Sequence, residues 1–130
     1  MPAEPAPAAE RILVIEDDAG VRRLVETTLT AAGYEVHAAA SAEEALSLAR
    51  SLGWIDVLVS DVILPDGRGP ALEQELRQIY GDGFRTLYIS GYAADQVDVE
   101  ALRTTEFLGK PFTPSRLTAT VRRILDPTEE

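Results

Sequence analysis

Five short apolar runs divide the chain, and each ends in turn or charged residues. They cover residues 11–15, 34–40, 55–60, 85–90 and 106–109. The central run, 55–60, is almost entirely apolar or small, and it stops at Asp61 shortly before the turn sequence Leu-Pro-Asp-Gly. Such a run is typical of a strand buried on both faces, which belongs to a parallel sheet covered by helices.

Helical periodicity separates these runs, because apolar residues recur at intervals of three and four. Helix start signals agree with the spacing: Asp18 is a predicted N-cap, Ser41 and Glu44 form a capping box, and Pro70 and Pro114 suit first helical positions. The predicted inner faces are Val21, Leu24, Val25, Leu29 and Ala32 in the first helix, Ala45, Leu46, Ala49 and Leu52 in the second, Leu72, Leu76 and Ile79 in the third, and Leu117, Val121, Ile124 and Leu125 in the last.

Strands that alternate with helices predict βαβ units with right-handed crossovers and one parallel sheet. The pattern covers residues 11–126, which we interpret as a single domain. Residues 1–10 are rich in Ala, Pro and Glu and predict a disordered tail or linker, and residues 127–130 form a short C-terminal tail. The segment 93–104 is polar and weakly periodic, so we expect a short or irregular fourth helix there.

Composition narrows the class of protein. The net charge is −10, which predicts that the chain avoids nucleic acid and anionic membranes, because phosphate backbones and anionic lipids would repel it. No apolar run is long enough to span a bilayer, and the N-terminus lacks the basic and apolar parts of a signal peptide. There is no cysteine, which is consistent with a reducing compartment, so we expect a cytoplasmic location.

Chemically informative residues follow four of the predicted strands. These residues are Glu16 and Asp17, Asp61, Ser90 and Lys110. Because parallel strands end at one edge of a sheet, we expect these side chains to converge there. Clustered carboxylates need a counterion, and a hard divalent cation such as Mg²⁺ suits them. A cation, an ammonium and a hydroxyl are what a transferring phosphoryl group needs, and Asp61 then serves as the nucleophile.

Four motifs in order carry a family resemblance: the acidic pair after ILVI, SDVILPDGRG, YISGY and FLGKPF. Together they resemble the receiver domain of two-component response regulators over residues 11–126, and they look most like receivers attached to hybrid sensor histidine kinases. The resemblance implies an α/β, flavodoxin-like (βα)5 three-layer sandwich. Its parallel five-stranded sheet has the order 2-1-3-4-5.

The resemblance also assigns the cation site and the acceptor. It implies that Asp61 is both the phosphoacceptor and a ligand of Mg²⁺. Of the acidic pair, it implies that Asp17 binds the ion directly and that Glu16 acts mainly through water. The backbone carbonyl of Ile63 completes the implied metal site. Glu16 stands where the family more often has Asp, which lengthens the reach to the metal and keeps the charge.

Three further residues are implied to respond to phosphorylation. The resemblance assigns Ser90 and Lys110 to the phosphoryl group, and it assigns Phe107, together with Ser90, to the conformational switch. Phe107 replaces the commoner Tyr of the family, so a phenolic hydroxyl is missing from the switch. The bond between Lys110 and Pro111 is often cis in the family.

The function we infer is a phosphorylation-controlled signalling receiver, not an enzyme that turns over a free metabolite. Its implied partner is a sensor histidine kinase or a histidine phosphotransfer protein, whose phosphohistidine supplies the phosphoryl group to Asp61. The implied output is a change at the surface of the fourth helix, the fifth strand and the last helix. A homodimer through that surface is a further expectation.

Other functions use related chemistry. A phosphatase with an aspartyl-phosphate intermediate usually has a second Asp two residues after the nucleophile, where this chain has Ile63. A flavin-binding electron carrier needs a hydroxyl- and glycine-rich phosphate loop after the first strand, where this chain has Glu16, Asp17 and Asp18. A receiver that binds without being phosphorylated is a third alternative, which the complete set of residues disfavours.

Several polar or aromatic residues have simpler structural interpretations. Asp18 is interpreted as a helix cap and Asp66 as a turn residue. His37, the only histidine, is interpreted as a surface residue without partners and not as a phosphodonor. Trp54 and Tyr92 are interpreted as packing residues, although Tyr92 is close enough to Ser90 in sequence to gate the phosphoryl site.

Overall fold

The computed structural model describes residues 9–90 and 106–126 of the chain. The strands are β1 (Arg11–Ile15), β2 (Glu35–Ala39), β3 (Val57–Asp61), β4 (Ile63–Leu64), β5 (Gly67–Arg68), β6 (Arg85–Ser90) and β7 (Glu106–Gly109). The helices within these ranges are α1 (Ala19–Ala31), α2 (Ala42–Leu52), α3 (Gly69–Tyr80) and α4 (Pro114–Leu125). The segment 93–104, where an irregular helix is predicted, and Tyr92 lie outside the described residues.

Five of the strands form one parallel sheet in the order β2-β1-β3-β6-β7. Because β4 and β5 form a separate two-residue antiparallel ladder, this order is the predicted 2-1-3-4-5. The flavodoxin-like α/β fold is therefore confirmed. No helix in the described ranges is long and apolar enough to cross a membrane.

Strand β3 is the central strand of the sheet, since it pairs with β1 on one side and β6 on the other. Apolar side chains cover both of its faces. Val57 and Val59 belong to a core shared with α1 and α4, while Leu58 belongs to a second core shared with α2 and α3. All five residues of β3 are buried. The buried residue that ends the strand, Asp61, is thus a carboxylate carried on a rigid central element.

The helix boundaries follow the predicted caps. Asp18 Oδ1 accepts a hydrogen bond from the backbone N–H of Val21 at 3.0 Å, and Ser41 Oγ accepts one from Glu44 at 3.1 Å. Thr113 caps α4 in the same way through its hydroxyl oxygen. These side chains satisfy backbone donors that the first turn of a helix leaves unpaired.

Two predictions of buried helix positions are wrong. Leu24 of α1 is 39% exposed and Ile79 of α3 is 41% exposed, although both fall on the predicted apolar stripes. The sheet covers only the centre of each stripe, as the complete burial of Val25 and Leu29 in α1 shows. Residues at the border of a stripe remain partly in solvent.

Two other predictions need correction. His37 is not without partners, since its Nε2 lies 2.7 Å from Oε2 of Glu35. Trp54 is 42% exposed and is not a core residue; the guanidinium of Arg11 lies over its ring at 4.2 Å. Glu35 lies two residues before His37 on the same strand, β2, whereas Arg11 lies on β1 and is far from Trp54 in the sequence.

Candidate functional site

The carboxylates after β1 and β3 lie close together at the carboxyl edge of the sheet. Strands β1 and β3 are hydrogen-bonded neighbours with Ile15 opposite Ser60, so the residues that follow them meet. Glu16, Asp17 and Asp61 each offer a carboxylate oxygen, and these oxygens lie within 4.8 Å of one another. This acidic cluster has the donor atoms that a hard divalent cation prefers.

Lys110 reaches the same cluster from the end of β7. Its Nζ lies 2.9 Å from Oε1 of Glu16 and 3.3 Å from Oδ1 of Asp61. The two carboxylates raise the pKa of Lys110 above its usual value, in spite of the burial that opposes them. The ammonium therefore stays charged and partly neutralises the cluster. The peptide bond between Lys110 and Pro111 is cis, as the resemblance implied.

The acidic cluster is buried unequally. Glu16 is 1% exposed and Asp61 is 6% exposed, whereas Asp17 is open to solvent. Burial, and next the adjoining carboxylate of Glu16, raise the pKa of Asp61 to about 8 against the opposing effect of Lys110. Without a cation, the cluster thus holds more negative charge than its surroundings stabilise.

Backbone and side-chain contacts hold Glu16 in place. Its Oε2 accepts a hydrogen bond from the N–H of Asp18 at 3.0 Å, and its backbone carbonyl accepts one from Nη1 of Arg22 at 2.9 Å. Asp18 itself points away to cap α1, which lowers its pKa through the hydrogen bond from Val21. The predicted division of roles between a cap at Asp18 and the acidic pair before it therefore agrees with the geometry.

Ser90 lies on β6, next to β3, and Phe107 lies on β7, the edge strand beyond β6. Ser90 ends β6, is buried, and accepts a hydrogen bond at its backbone carbonyl from the N–H of Lys110 at 2.8 Å. Phe107 lies opposite Tyr88 in the ladder between β6 and β7 and is 37% exposed. Since side chains alternate along a strand, Ser90, Tyr88 and Phe107 share one face of the sheet.

Ile63 begins β4, two residues after Asp61. Its side chain is 52% exposed and carries no ligand atom, so any contribution to the acidic cluster would have to come from its backbone carbonyl. The backbone around it is fixed on one side by the N–H of Gly69, which donates to the carbonyl oxygen of Val62 at 2.7 Å. This contact closes the segment between β3 and α3 beside the cluster.

Two residues that support this edge have no functional role in the predictions from the sequence. A Cβ placed on Gly69 would lie 2.5 Å from the carbonyl oxygen of Asp61 and 2.7 Å from Cε1 of Tyr88. Asp66, interpreted as a turn residue, accepts hydrogen bonds from the first turn of α2. In the sequence, only the second glycine of SDVILPDGRG could have suggested that the backbone at residue 69 approaches Asp61 closely. No sequence signal connects residue 66 with α2.

The fold and this edge define a class of protein. The chain belongs to the response regulator receiver domain family, whose model matches residues 12–122. Receiver domains are signalling domains of two-component systems, which confirms the family resemblance found in the motifs. The acidic cluster and the lysine lie where that resemblance assigns the cation and the phosphoryl group.

Individual relatives agree with the family. The chain is 39% identical over 118 residues to sensor kinase CckA of Brucella abortus (strain 2308). A crystal structure of the receiver domain from Hybrid Histidine Kinase CckA is 38% identical, with a TM-score of 0.74 over 89% of this chain and 99% of that chain. The chemotaxis protein CheY4 of Vibrio cholerae is 32% identical, with a TM-score of 0.81 over 91% of this chain and 100% of that chain.

The relatives differ from the chain in length. The match covers 88% of this chain but 12% of the Brucella sensor kinase, and it covers 47% and 50% of two further curated relatives. The similarity therefore concerns the receiver domain of these proteins and not the rest of them.

Proposed function

We propose that the chain accepts a phosphoryl group from a phosphohistidine onto Asp61 in a Mg²⁺-dependent reaction. The observation that carries the proposal is a buried carboxylate at a strand end, in contact with an ammonium and next to two further carboxylates. A hard cation would relieve the repulsion within the acidic cluster, and Asp61 would then be available as an anion.

In this reaction a carboxylate oxygen of Asp61 forms a bond to phosphorus. The bond between phosphorus and the histidine nitrogen breaks, and its electron pair stays on the imidazole. Lys110 already lies 3.3 Å from Asp61, so its ammonium is placed to bind a phosphoryl oxygen. The protein contributes to this reaction mostly by positioning the reacting groups and neutralising their charge, because phosphoryl transfer needs few covalent steps on the protein itself.

The residues that would hold Mg²⁺ are Asp17 and Asp61 directly, Glu16 mainly through water, and Ile63 through its backbone carbonyl. The carboxylate donors fit this ion, which commonly keeps several waters and takes one or two carboxylates. When bound, Mg²⁺ supplies positive charge that neutralises phosphoryl oxygens. The exposure of Asp17 supports it as the ligand nearest the entering ion.

The partner we propose is a sensor histidine kinase or a histidine phosphotransfer protein. The support is the similarity of this chain to the receiver of a hybrid kinase. We place the reaction in the cytoplasm, and a homodimer through the surface that includes β7 and α4 stays a prediction. The alternatives are less well supported, because Ile63 stands where a phosphatase would have its second Asp and Glu16 would repel a flavin phosphate.

A small acyl phosphate tests the proposal without a partner. We expect the intact mass to increase by one phosphoryl group when Mg²⁺ is present and to stay unchanged when the ion is chelated. The added group should be labile at alkaline pH, as an acyl phosphate is. A parent protein that gains no mass with Mg²⁺ would contradict the proposed function.

Mg²⁺ should also stabilise the fold. At ten times its dissociation constant, a ligand that binds only the folded state adds about 1.4 kcal/mol to the free energy of unfolding. We expect thermal denaturation to show this gain in the parent protein and to lose most of it in Asp17→Asn. The matched control is Asp18→Asn, which removes a neighbouring charge and keeps a capping oxygen. Equal responses to Mg²⁺ in Asp17→Asn and the parent would contradict the assigned ligand.

Phosphorylation should change the packing near Phe107. Ser90 shares a sheet face with Phe107, and in the proposed switch its hydroxyl would bind the phosphoryl group at Asp61. We expect Ser90→Ala to accept the phosphoryl group but to lose the change at Phe107, since the group would bias two packing states through that hydroxyl. Amide NMR with a phosphoryl mimic measures this, and Ser90→Thr is the control that keeps a hydroxyl. Equal shifts at Phe107 in Ser90→Ala and the parent would disprove the coupling.

A further inference from the structure

Asp66 connects the segment after the phosphoacceptor to a different helix. Its Oδ1 accepts a hydrogen bond from the backbone N–H of Ala42 at 2.9 Å, and its Oδ2 accepts one from Glu43 at 3.0 Å. Both oxygens of one carboxylate are therefore used by consecutive donors in the first turn of α2. These bonds join residues more than twenty positions apart in the sequence.

The same helix also has a local cap. Ser41 Oγ accepts from the N–H of Glu44 at 3.1 Å, and Oε1 of Glu44 accepts from the N–H of Ala40 at 2.9 Å. The start of α2 is thus capped by its own residues, and Asp66 supplies the remaining two acceptors from outside. A carboxylate at this end also interacts favourably with the helix dipole. The two backbone donors lower the pKa of Asp66, so it is ionised near neutral pH.

Asp66 lies at the tip of the β4–β5 hairpin. Ile63 pairs with Arg68 and Leu64 pairs with Gly67, so the tip residues lie between the paired strands. Leu64 is buried in the core shared with α2 and α3, which anchors one side of the hairpin. Since Ile63 is exposed, its backbone is held by the hairpin geometry and not by packing of its own side chain.

We propose that Asp66 is a positioning residue for the cation: by fixing the hairpin to α2, it holds the backbone carbonyl of Ile63 where the ion needs it. This inference rests on the proposed function, because it assumes that Mg²⁺ binds at the acidic cluster. Supporting residues of this kind set metal affinity because they restrict the positions of the ligands themselves. The contact acts through the backbone, which explains why the residue at 63 is free to be apolar and exposed.

The test is a titration with Mg²⁺, in which the amide NMR signals of Asp17 and Ile63 report binding of the ion. We expect Asp66→Ala to weaken Mg²⁺ binding roughly 3- to 10-fold. This loss of affinity lies at or below the lower end of the range that is typical when a residue supporting a metal ligand is removed. Asp66→Asn should have an intermediate effect, since an amide keeps one acceptor oxygen and loses the other.

Ser41→Ala is the matched control. It removes the local cap from the same helix and leaves the hairpin contact in place, so it should lower stability without changing Mg²⁺ affinity. A parent protein that does not bind Mg²⁺ would overturn the proposed function itself. Parent binding with an unchanged dissociation constant in Asp66→Ala would overturn this inference alone. Equal weakening by Ser41→Ala would also overturn it, since the position of α2 would then be the cause.

Discussion

Asp61→Asn should take up no phosphoryl group from a small acyl phosphate under conditions that label the parent protein fully. The substitution replaces the anionic oxygen that forms the bond to phosphorus with an amide. Glu16 also contacts Lys110, but it is 1% exposed and its Oε2 already accepts a hydrogen bond from the N–H of Asp18, so we do not expect it to take the place of Asp61. Intact mass measures the result directly. Asp82→Asn, on the exposed side of the molecule, is the matched control and should be labelled like the parent. Labelling of Asp61→Asn to the parent level would contradict the assigned acceptor.

The same substitution should stabilise the protein in the absence of metal. The folded state raises the pKa of Asp61 to about 8, and burial is the first cause. A raised carboxyl pKa means that the stability present below about pH 4 is lost as the pH rises toward 8. Asn cannot ionise, so Asp61→Asn should be more stable by about 1–3 kcal/mol at pH 8, a range that allows for the lost attraction to Lys110.

Urea denaturation at several pH values measures this difference. The advantage of Asp61→Asn should shrink as the pH falls and should disappear below about pH 4, where the parent carboxyl becomes protonated in the unfolded state as well as in the folded state. Saturating Mg²⁺ should reduce the advantage at pH 8, because the ion stabilises the parent, with its additional carboxylate, more than the variant. An advantage that grows on acidification would show that the carboxylate is stabilised by the fold.

Gly69→Ala should destabilise the protein by about 2 kcal/mol, the difference between an overpacking cost at the upper end of its usual range and the helix-propensity gain of alanine. A Cβ at this position would lie 2.5 Å from the carbonyl oxygen of Asp61 and 2.7 Å from Cε1 of Tyr88. Neither group can move easily, since Asp61 is paired in the sheet and the hydroxyl of Tyr88 donates to Glu73 at 2.6 Å. Overpacking of this kind typically costs 1–3 kcal/mol, and here it exceeds the gain of about 1 kcal/mol that alanine offers a helix.

Gly67→Ala is the control in the same hairpin segment. A Cβ there would meet no heavy atom of the described residues within 4 Å, so the free energy of unfolding should change by less than about 0.5 kcal/mol. Urea midpoints of the two variants give the comparison, provided that the slopes agree with the parent. Equal urea midpoints for Gly69→Ala and Gly67→Ala would show that the backbone at Asp61 can shift to accept the Cβ without lowering the free energy of unfolding.

The family resemblance alone implied the order of the sheet strands. The strands themselves, their parallel arrangement and the edge that carries the acidic cluster could be predicted from the pattern of residues. Their signals are local: a run such as 55–60 buries both faces of a strand, and helical spacing between runs forces parallel crossovers. Once the strands are parallel, Asp61 and Lys110 must follow strands that end at the same edge. The caps at Asp18 and Ser41 were predictable for the same reason, because the bonds they make span three residues.

Only the tertiary structure decided how these groups are buried and what supports them. Whether Leu24 faces the core or the solvent depends on how far the neighbouring helices and strands extend over α1. The periodicity of apolar residues within α1 carries no information about those neighbours. The approach of Gly69 to Asp61, and the bonds from α2 to Asp66, join elements whose separation depends on the packing of the whole domain. A sequence pattern determines which face a residue occupies, whereas contact distances depend on side-chain volumes throughout the core, and these act together only in the folded chain.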